Sequence, residues 1–139
     1  MDDPYDLQRF VAAQAPAYDR ALEELRAGRK RTHWIWYVFP QVAGLGSSET
    51  AQRFAIHSLE EAGAYLGHPV LGPRLHEAVA AAMASGERDP HALFGSPDDL
   101  KFRSCLTLFE RAADEPAPFA EALDAFYGGA RDEATLSRL

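Results

Sequence analysis

The stretch His33-Trp34-Ile35-Trp36-Tyr37-Val38-Phe39, closed by Pro40, contains both tryptophans of the chain and no aspartate, glutamate, lysine or arginine. Its aromatic and β-branched residues favour a strand by propensity, while an apolar run of this length fits a buried helical turn as well. Helix or strand here separates an all-helical fold from a mixed one, because the flanking sequence reads as helix.

Upstream, Asp3-Pro4 opens a helix predicted over residues 4 to 14, with Leu7, Phe10, Val11 and Gln14 on one face. Pro16 restarts the pattern, and Tyr18, Ala21, Leu22 and Leu25 repeat at helical spacing up to Gly28, which suits a left-handed stop. Downstream, Gly44 and Gly46 mark residues 41 to 48 as a shaped loop. Ser48 caps a short helix through Ile56, and Ser58 with Glu61 matches a capping box for a helix to about Gly67.

From His68-Pro69, the residues Val70, Leu71, Leu75, Val79, Ala82 and Met83 form a broad apolar stripe ending at Ser85-Gly86, read as the longest and central helix. Asp89-Pro90 caps a single turn through Phe94. Ser96-Pro97-Asp98-Asp99 then starts a helix from 97 to about 113, with a capping serine, a proline in the first position and acids facing the helix dipole. Pro116 and Pro118 precede Phe119, Leu123 and Phe126; Gly128-Gly129 break the chain, and Asp132 caps a last turn ending at Leu139. No strand is required elsewhere. The expected fold is all-α, a single compact orthogonal multi-helix domain over residues 1–139 with about seven helices and short loops.

A chain that is 47% hydrophobic and 25% charged has the composition of a folded core, not of a disordered segment. Its 14 basic against 21 acidic residues give a net charge of −7, which opposes broad attraction to nucleic-acid backbones and anionic membranes. The single cysteine, Cys105, makes no internal disulfide, and His57, His68, His76 and His91 are scattered, so neither a metal nor a cofactor is expected. The N-terminus, Met1-Asp2-Asp3-Pro4-Tyr5-Asp6, is acidic where a secretory signal is basic, and no apolar run approaches the roughly 20 residues that span a bilayer. The cytoplasm is the expected address, and nothing indicates an oligomeric state.

Chemistry concentrates between His33 and Phe54. Trp34, Trp36, Tyr37 and Phe39, with His33 before them and Gln41 after, combine large faces with polar tips, which suits a planar hydrogen-bonding ligand such as a nucleoside. The same aromatics also serve as plain core, a reading that Trp34 and Phe39 fit best. Arg26, Arg29, Lys30, Arg31 and His33 form the one basic run, either a phosphate contact or a solvated helix end. Gly44-Leu45-Gly46-Ser47-Ser48 offers amides and hydroxyls at a positive helix end, a generic anion site that lacks the lysine of a phosphate-binding loop. Asp98, Lys101 and Ser104 share one helix face, while Ser104 and Cys105 lack the context of a nucleophile.

Two readings follow, besides a role in nucleic-acid handling, which the net charge of −7 argues against unless positive charge is confined to residues 26 to 33. In the first, the chain binds or hydrolyses a nucleotide-like ligand in a cleft lined by Arg31, His33, Trp34, Trp36, Gln41, Gly44, Gly46, Ser48, Gln52, Lys101 and Ser104; His33, Trp36, Gln41, Ser48 and Lys101 then converge in space. In the second, the chain is a non-catalytic interaction module: the aromatic block is core, and the basic run docks an acidic protein or an RNA end on an exposed patch without an enclosed pocket.

The segments Asp6–Phe10, Gly28–Trp36, Val38–Gln41, Gly44–Gly46, Tyr65–Gly72, Phe94–Lys101 and Phe126–Gly129 together closely resemble the domain-of-unknown-function 1810 family, over nearly the whole chain. The resemblance implies an all-α bacterial domain, with helix at 33 to 39, and no reaction. The calpastatin-like label sometimes attached to that family finds no motif here. The run Ser47–Phe54 after an aromatic-proline block is also similar to the helical NAD and ADP-ribose-associated superfamily, although later motifs depart from it. That likeness implies an ADP-ribosyl pocket with Arg29 or Arg31 facing phosphates and Trp34 or Trp36 stacking. Glu49 or Asp98 would stabilise an oxocarbenium-like centre, the demand that glycosidic cleavage places on a carboxylate.

Overall fold

Helical spacing decides the aromatic block. Val38 N–H donates to Trp34 O (3.1 Å) and Phe39 N–H to Ile35 O (3.0 Å), closing one turn, α3 (Ile35–Val38), before Pro40. Trp34, Ile35, Val38 and Phe39, at relative positions one, two, five and six, face inward and are buried, while Trp36 and Tyr37 stay partly exposed on the other side. The computed structural model of the chain describes residues 3–139; Met1 and Asp2, the start of the acidic N-terminus read above, lie outside the described residues.

Ten helices are found among the described residues: α1 (Gln8–Gln14), α2 (Tyr18–Arg26), α3, α4 (Glu49–Arg53), α5 (Leu59–Gly67), α6 (Leu71–Ala84), α7 (Pro90–Phe94), α8 (Asp98–Ala112), α9 (Ala117–Tyr127) and α10 (Glu133–Leu136). The fold is all-helical, with one isolated parallel bridge between Val42 and Ile56. The count exceeds the expected seven because single turns stand alone: Pro40 ends α3, Gly95 at φ +74° ends α7, and the side-chain cap of Asp132 starts α10.

Several boundaries differ for local reasons. The first helix begins at Gln8 instead of residue 4, because Asp6 takes φ +51° and Asp3 reaches forward to accept from Leu7 N (2.7 Å) and Gln8 N (3.0 Å). α4 stops at Arg53 because residues 54 to 56 leave the helix to meet Gln41 and Ala43, with Ile56 N donating to Gln41 O and Ala43 N to Ile56 O. α6 starts at Leu71, where His68 Nδ1 accepts from Val70 N (3.1 Å) and Leu71 N (3.2 Å). Ser96 does not cap α8; the Ser96–Pro97 bond is cis and Pro97 occupies the cap position.

The central helix is α8, with 15 residues against 14 for α6. Residues 104 to 109, Ser-Cys-Leu-Thr-Leu-Phe, are all buried, so this helix is enclosed on every side and packs on α3, α5, α7, α9 and α10. Phe10, Tyr65, Phe109 and Phe119 make one chain of ring contacts, and Trp34, Phe39, Phe102 and Phe126 another, within a common core. Gly72 lets α6 cross α5, since a Cβ there would lie 2.1 Å from the Leu66 carbonyl oxygen.

Arg9 fastens the N-terminal turn to the rest. Its guanidinium donates to the carbonyls of Tyr5, Asp6, Arg53 and Ala55 and pairs with the buried Glu61 at 2.9 Å. Cys105 is fully buried in α8, and burial pushes its thiol well above the usual range. A thiol reagent such as dithionitrobenzoate should therefore leave it unmodified in the native protein and react stoichiometrically in denaturant; fast native modification would show that the α8 core opens.

Candidate functional site

Between α2 and α3 the chain turns at Gly28, φ +78°, and runs as a loop through the basic residues. Beneath it lies a carboxylate that the sequence reading did not single out. Glu24, buried on α2, accepts from Arg31 N (2.8 Å), Thr32 N (3.0 Å) and Trp34 Nε1 (2.9 Å) on one oxygen, and from the Thr32 hydroxyl (2.7 Å) on the other. Burial alone would raise this carboxyl, but the combined hydrogen bonds outweigh it and hold it down at about 2. Lys30 N–H donates to Leu93 O (2.7 Å), adding a tie to α7.

The loop's charges divide into two groups. Lys30 turns inward, its side chain only 5% exposed, and pairs with Asp98 at 2.7 Å; its ammonium also lies 5.1 Å over the Trp34 ring. Arg29, Arg31 and His33 are exposed, and neither arginine takes an ion-pair partner among the described residues. Arg29, Lys30 and Arg31 line an open concavity of about 370 Å³.

Asp98 continues the chain of charges. One oxygen is held by Lys30 and the other faces Lys101 at 3.9 Å, and Lys101 lies 5.2 Å over the Trp36 ring. An Asp98 engaged by two ammonium groups is a structural ion pair and not a free carboxylate.

Of the five residues expected to converge, Trp36 and Gln41 share a small pocket with Gly44 and Gly46, and Lys101 approaches Trp36 from its ring face. The exposed Ser48 accepts from Ala51 N (3.0 Å) as the cap of α4, and the exposed His33 does not line the pocket; its carbonyl accepts from the Tyr37 hydroxyl (3.2 Å). Gln52 Nε2 donates to Ser47 O (3.0 Å), and Glu49 is exposed in the first turn of α4. The pocket's volume is about 10 Å³, room for one water-sized atom and far below the roughly 300 Å³ at which small-molecule sites begin.

Trp34 and Ser104 leave no face for a ligand. Trp34 is 1% exposed with its N–H taken by Glu24. Ser104 donates to Leu100 O (3.1 Å) and Asp132 Oδ2 (2.9 Å), part of a cluster in which Asp132 N donates to Thr107 Oγ1 and Thr135 donates to Asp132, docking α10 on α8. Larger concavities lie elsewhere, about 460 Å³ beside Tyr5 and Arg53 and about 440 Å³ beside His76 and Pro118. Among the described residues no group of three or more metal-ligating side chains is assembled, and no helix is long and apolar enough to cross a membrane.

The structure thus defines an all-helical protein that presents a basic loop over a buried carboxylate. The chain belongs to the family described as "Protein of unknown function (DUF1810)", which it matches over residues 4–139. It is similar to a solved structure, that of the conserved hypothetical protein Rv1873 from Mycobacterium tuberculosis, at 55% identity and a TM-score of 0.96, covering 99% of this chain and 98% of that one. No curated protein matches the chain.

Proposed function

We propose that the chain is a non-catalytic binding module that docks an acidic protein segment on the loop Arg29–His33. The observation that carries this reading is the pairing of a fixed loop with free charge. Glu24 holds the loop's backbone from below, while the exposed Arg29 and Arg31 take no ion-pair partner among the described residues. Rigidity matters because a preorganised cation loses less freedom when it meets its partner. The aromatic block supports the same reading from the other direction: Trp34, Ile35, Val38 and Phe39 are core, and the space between Trp36 and Gly46 is too small for a nucleoside.

The charge of the whole chain favours a short acidic segment over a nucleic acid. At physiological ionic strength, charges beyond about 8 Å are largely screened, so a local basic patch acts even on an acidic protein.

Fluorescence anisotropy with a labelled Asp/Glu-rich peptide tests the reading, with a single-stranded RNA of matched charge in parallel. Saturable peptide binding that weakens with added salt is expected. Tighter binding of the RNA, or no binding of the peptide at low salt, overturns it.

A further inference from the structure

Two open concavities, of about 440 Å³ and 380 Å³, share His76 and Pro118 as lining residues and so form one groove along the seam between α6 and α9. The seam follows both helices in the same direction: the His76 ring lies against Phe119, with centroids 5.3 Å apart, and further along Arg88 lies 5.7 Å from the Phe126 ring. Small and apolar side chains dominate the walls, with Val79, Ala80 and Met83 on one side of His76 and Leu66 and Ala112 on the other. Gly63 and Gly67, four apart and therefore on one face of α5, line the same groove. Neither takes a positive φ, and a Cβ at either would meet nothing within 4 Å. Glycine weakens a helix relative to alanine, so neither the backbone nor the packing of this fold calls for it here. The missing side chains do open the α5 backbone to the groove, the use glycine has where something must approach a backbone closely.

Charge is uneven along the groove. Asp114 and Glu115 stand at the α5 end and Glu121 on the α9 wall; all three are exposed and take no ion-pair partner among the described residues, and α9 begins without a side-chain cap. Against them the lining sets one arginine, Arg88, at the opposite end. With a net charge of −7, a second copy of the chain brings more of the same sign, so a cationic partner is the better complement. The walls are helices whose backbones are bonded internally, so they offer no strand edge to an extended peptide. A helical occupant satisfies its own backbone, and its dipole sets the positive end towards Asp114 and Glu115 and the negative end towards Arg88.

We infer that the α6–α9 groove docks a basic amphipathic helix of a partner protein. Its apolar face lies on Val79, Met83 and the two glycines, and its lysines or arginines meet Asp114, Glu115 and Glu121. The bare α5 backbone at Gly63 and Gly67 is then a contact surface, and the helix stability given up there serves the interface. This groove uses neither Arg29 nor Arg31 and stands or falls apart from the docking loop.

The experiment is fluorescence anisotropy of the full chain with a labelled model helix, leucine and alanine on one face and lysine on the other, beside the same helix with glutamate in place of lysine. The lysine helix should bind saturably and the glutamate helix should not. Gly63→Ala should weaken the lysine helix about ten-fold with no fall in melting temperature, because the added methyl group overpacks the interface and leaves the fold alone. Asp114→Lys with Glu115→Lys should weaken it by a similar factor and flatten its salt dependence. Arg29→Ala with Arg31→Ala should leave it unchanged. Absence of saturable binding, equal binding of the glutamate helix, or undiminished binding by Gly63→Ala overturns the inference. So does a dimer of the chain alone, seen in sedimentation velocity and dissociated by Gly63→Ala, which would assign the groove to a second copy. Acidic-peptide binding of native strength by Gly63→Ala would show that such a failure leaves the docking loop intact.

Discussion

Gly72→Ala should lower the melting temperature by about 10 °C, because the added methyl group has nowhere to go. Its Cβ would sit 2.1 Å from the carbonyl oxygen of Leu66 and 3.0 Å from the carbonyl carbon, both backbone atoms that cannot rotate aside. Relief requires α5 and α6 to separate, and α6 also packs on α2 and α9, so the displacement spreads through the core. The cost is about 3 kcal/mol, in the range of overpacked cores. Gly63→Ala supplies the contrast: it lies within α5 with nothing within 4 Å of the new Cβ, and alanine there should raise stability by up to about 1 kcal/mol. Equal melting temperatures for native protein and Gly72→Ala would refute the α5–α6 crossing.

Glu24→Ala should cost about 3 kcal/mol or more, since it strands the N–H groups of Arg31, Thr32 and Trp34 together beneath the loop. Glu24→Gln keeps an acceptor and isolates the charge. The native carboxyl titrates at about 2 against a model-peptide value of 4.5, so its charge stabilises the fold fully above about pH 5. That contribution, about 3 kcal/mol, is lost progressively as the pH falls through 4.5 towards 2. Urea unfolding at neutral pH and near pH 2 reads this directly. The stability gap between native protein and Glu24→Gln should be wide at neutral pH and closed in acid; a gap independent of pH would show that Glu24 carries no depressed titration.

Much of this architecture is legible locally. Ser48, Ser58, Asp89 and Asp132 each accept from the backbone N–H that a capping residue should satisfy, because a cap involves residues two or three apart and needs nothing distant. Gly28 takes the left-handed turn for the same reason. The aromatic block resists local reading: its propensity favours strand, and the choice of helix is made by burial of Trp34, Ile35, Val38 and Phe39 against α8 and its neighbours. α6 reads as central from its long apolar stripe, yet α8 occupies that place because Ser104 and Thr107, polar on paper, are bonded to the carbonyls of Leu100 and Arg103 and to Asp132.

The candidate site is legible in part. The basic run and the grouping of Trp36, Gln41, Gly44 and Gly46 follow from sequence neighbourhood. Glu24 escapes notice because it sits beside Leu25 as one acid among several on α2, and its burial depends on the chain folding back over it. A signal was present nonetheless, since its donors lie only seven to ten residues downstream. Arg138 could not be placed beside Gly44 by any local rule, being 94 positions away along the chain. Arg9 and Glu61 are likewise joined across 52 residues by a contact that only the assembled fold creates.

Charge reversal of the loop tests the central claim most directly. Arg29 and Arg31 are exposed and unpaired among the described residues, so Arg29→Glu with Arg31→Glu should leave the thermal melt within about 1 kcal/mol of native stability while abolishing anisotropy with the acidic peptide. The same double variant should bind a lysine-rich peptide more tightly than the native chain does. Native-strength binding of the acidic peptide by the double variant would contradict the account.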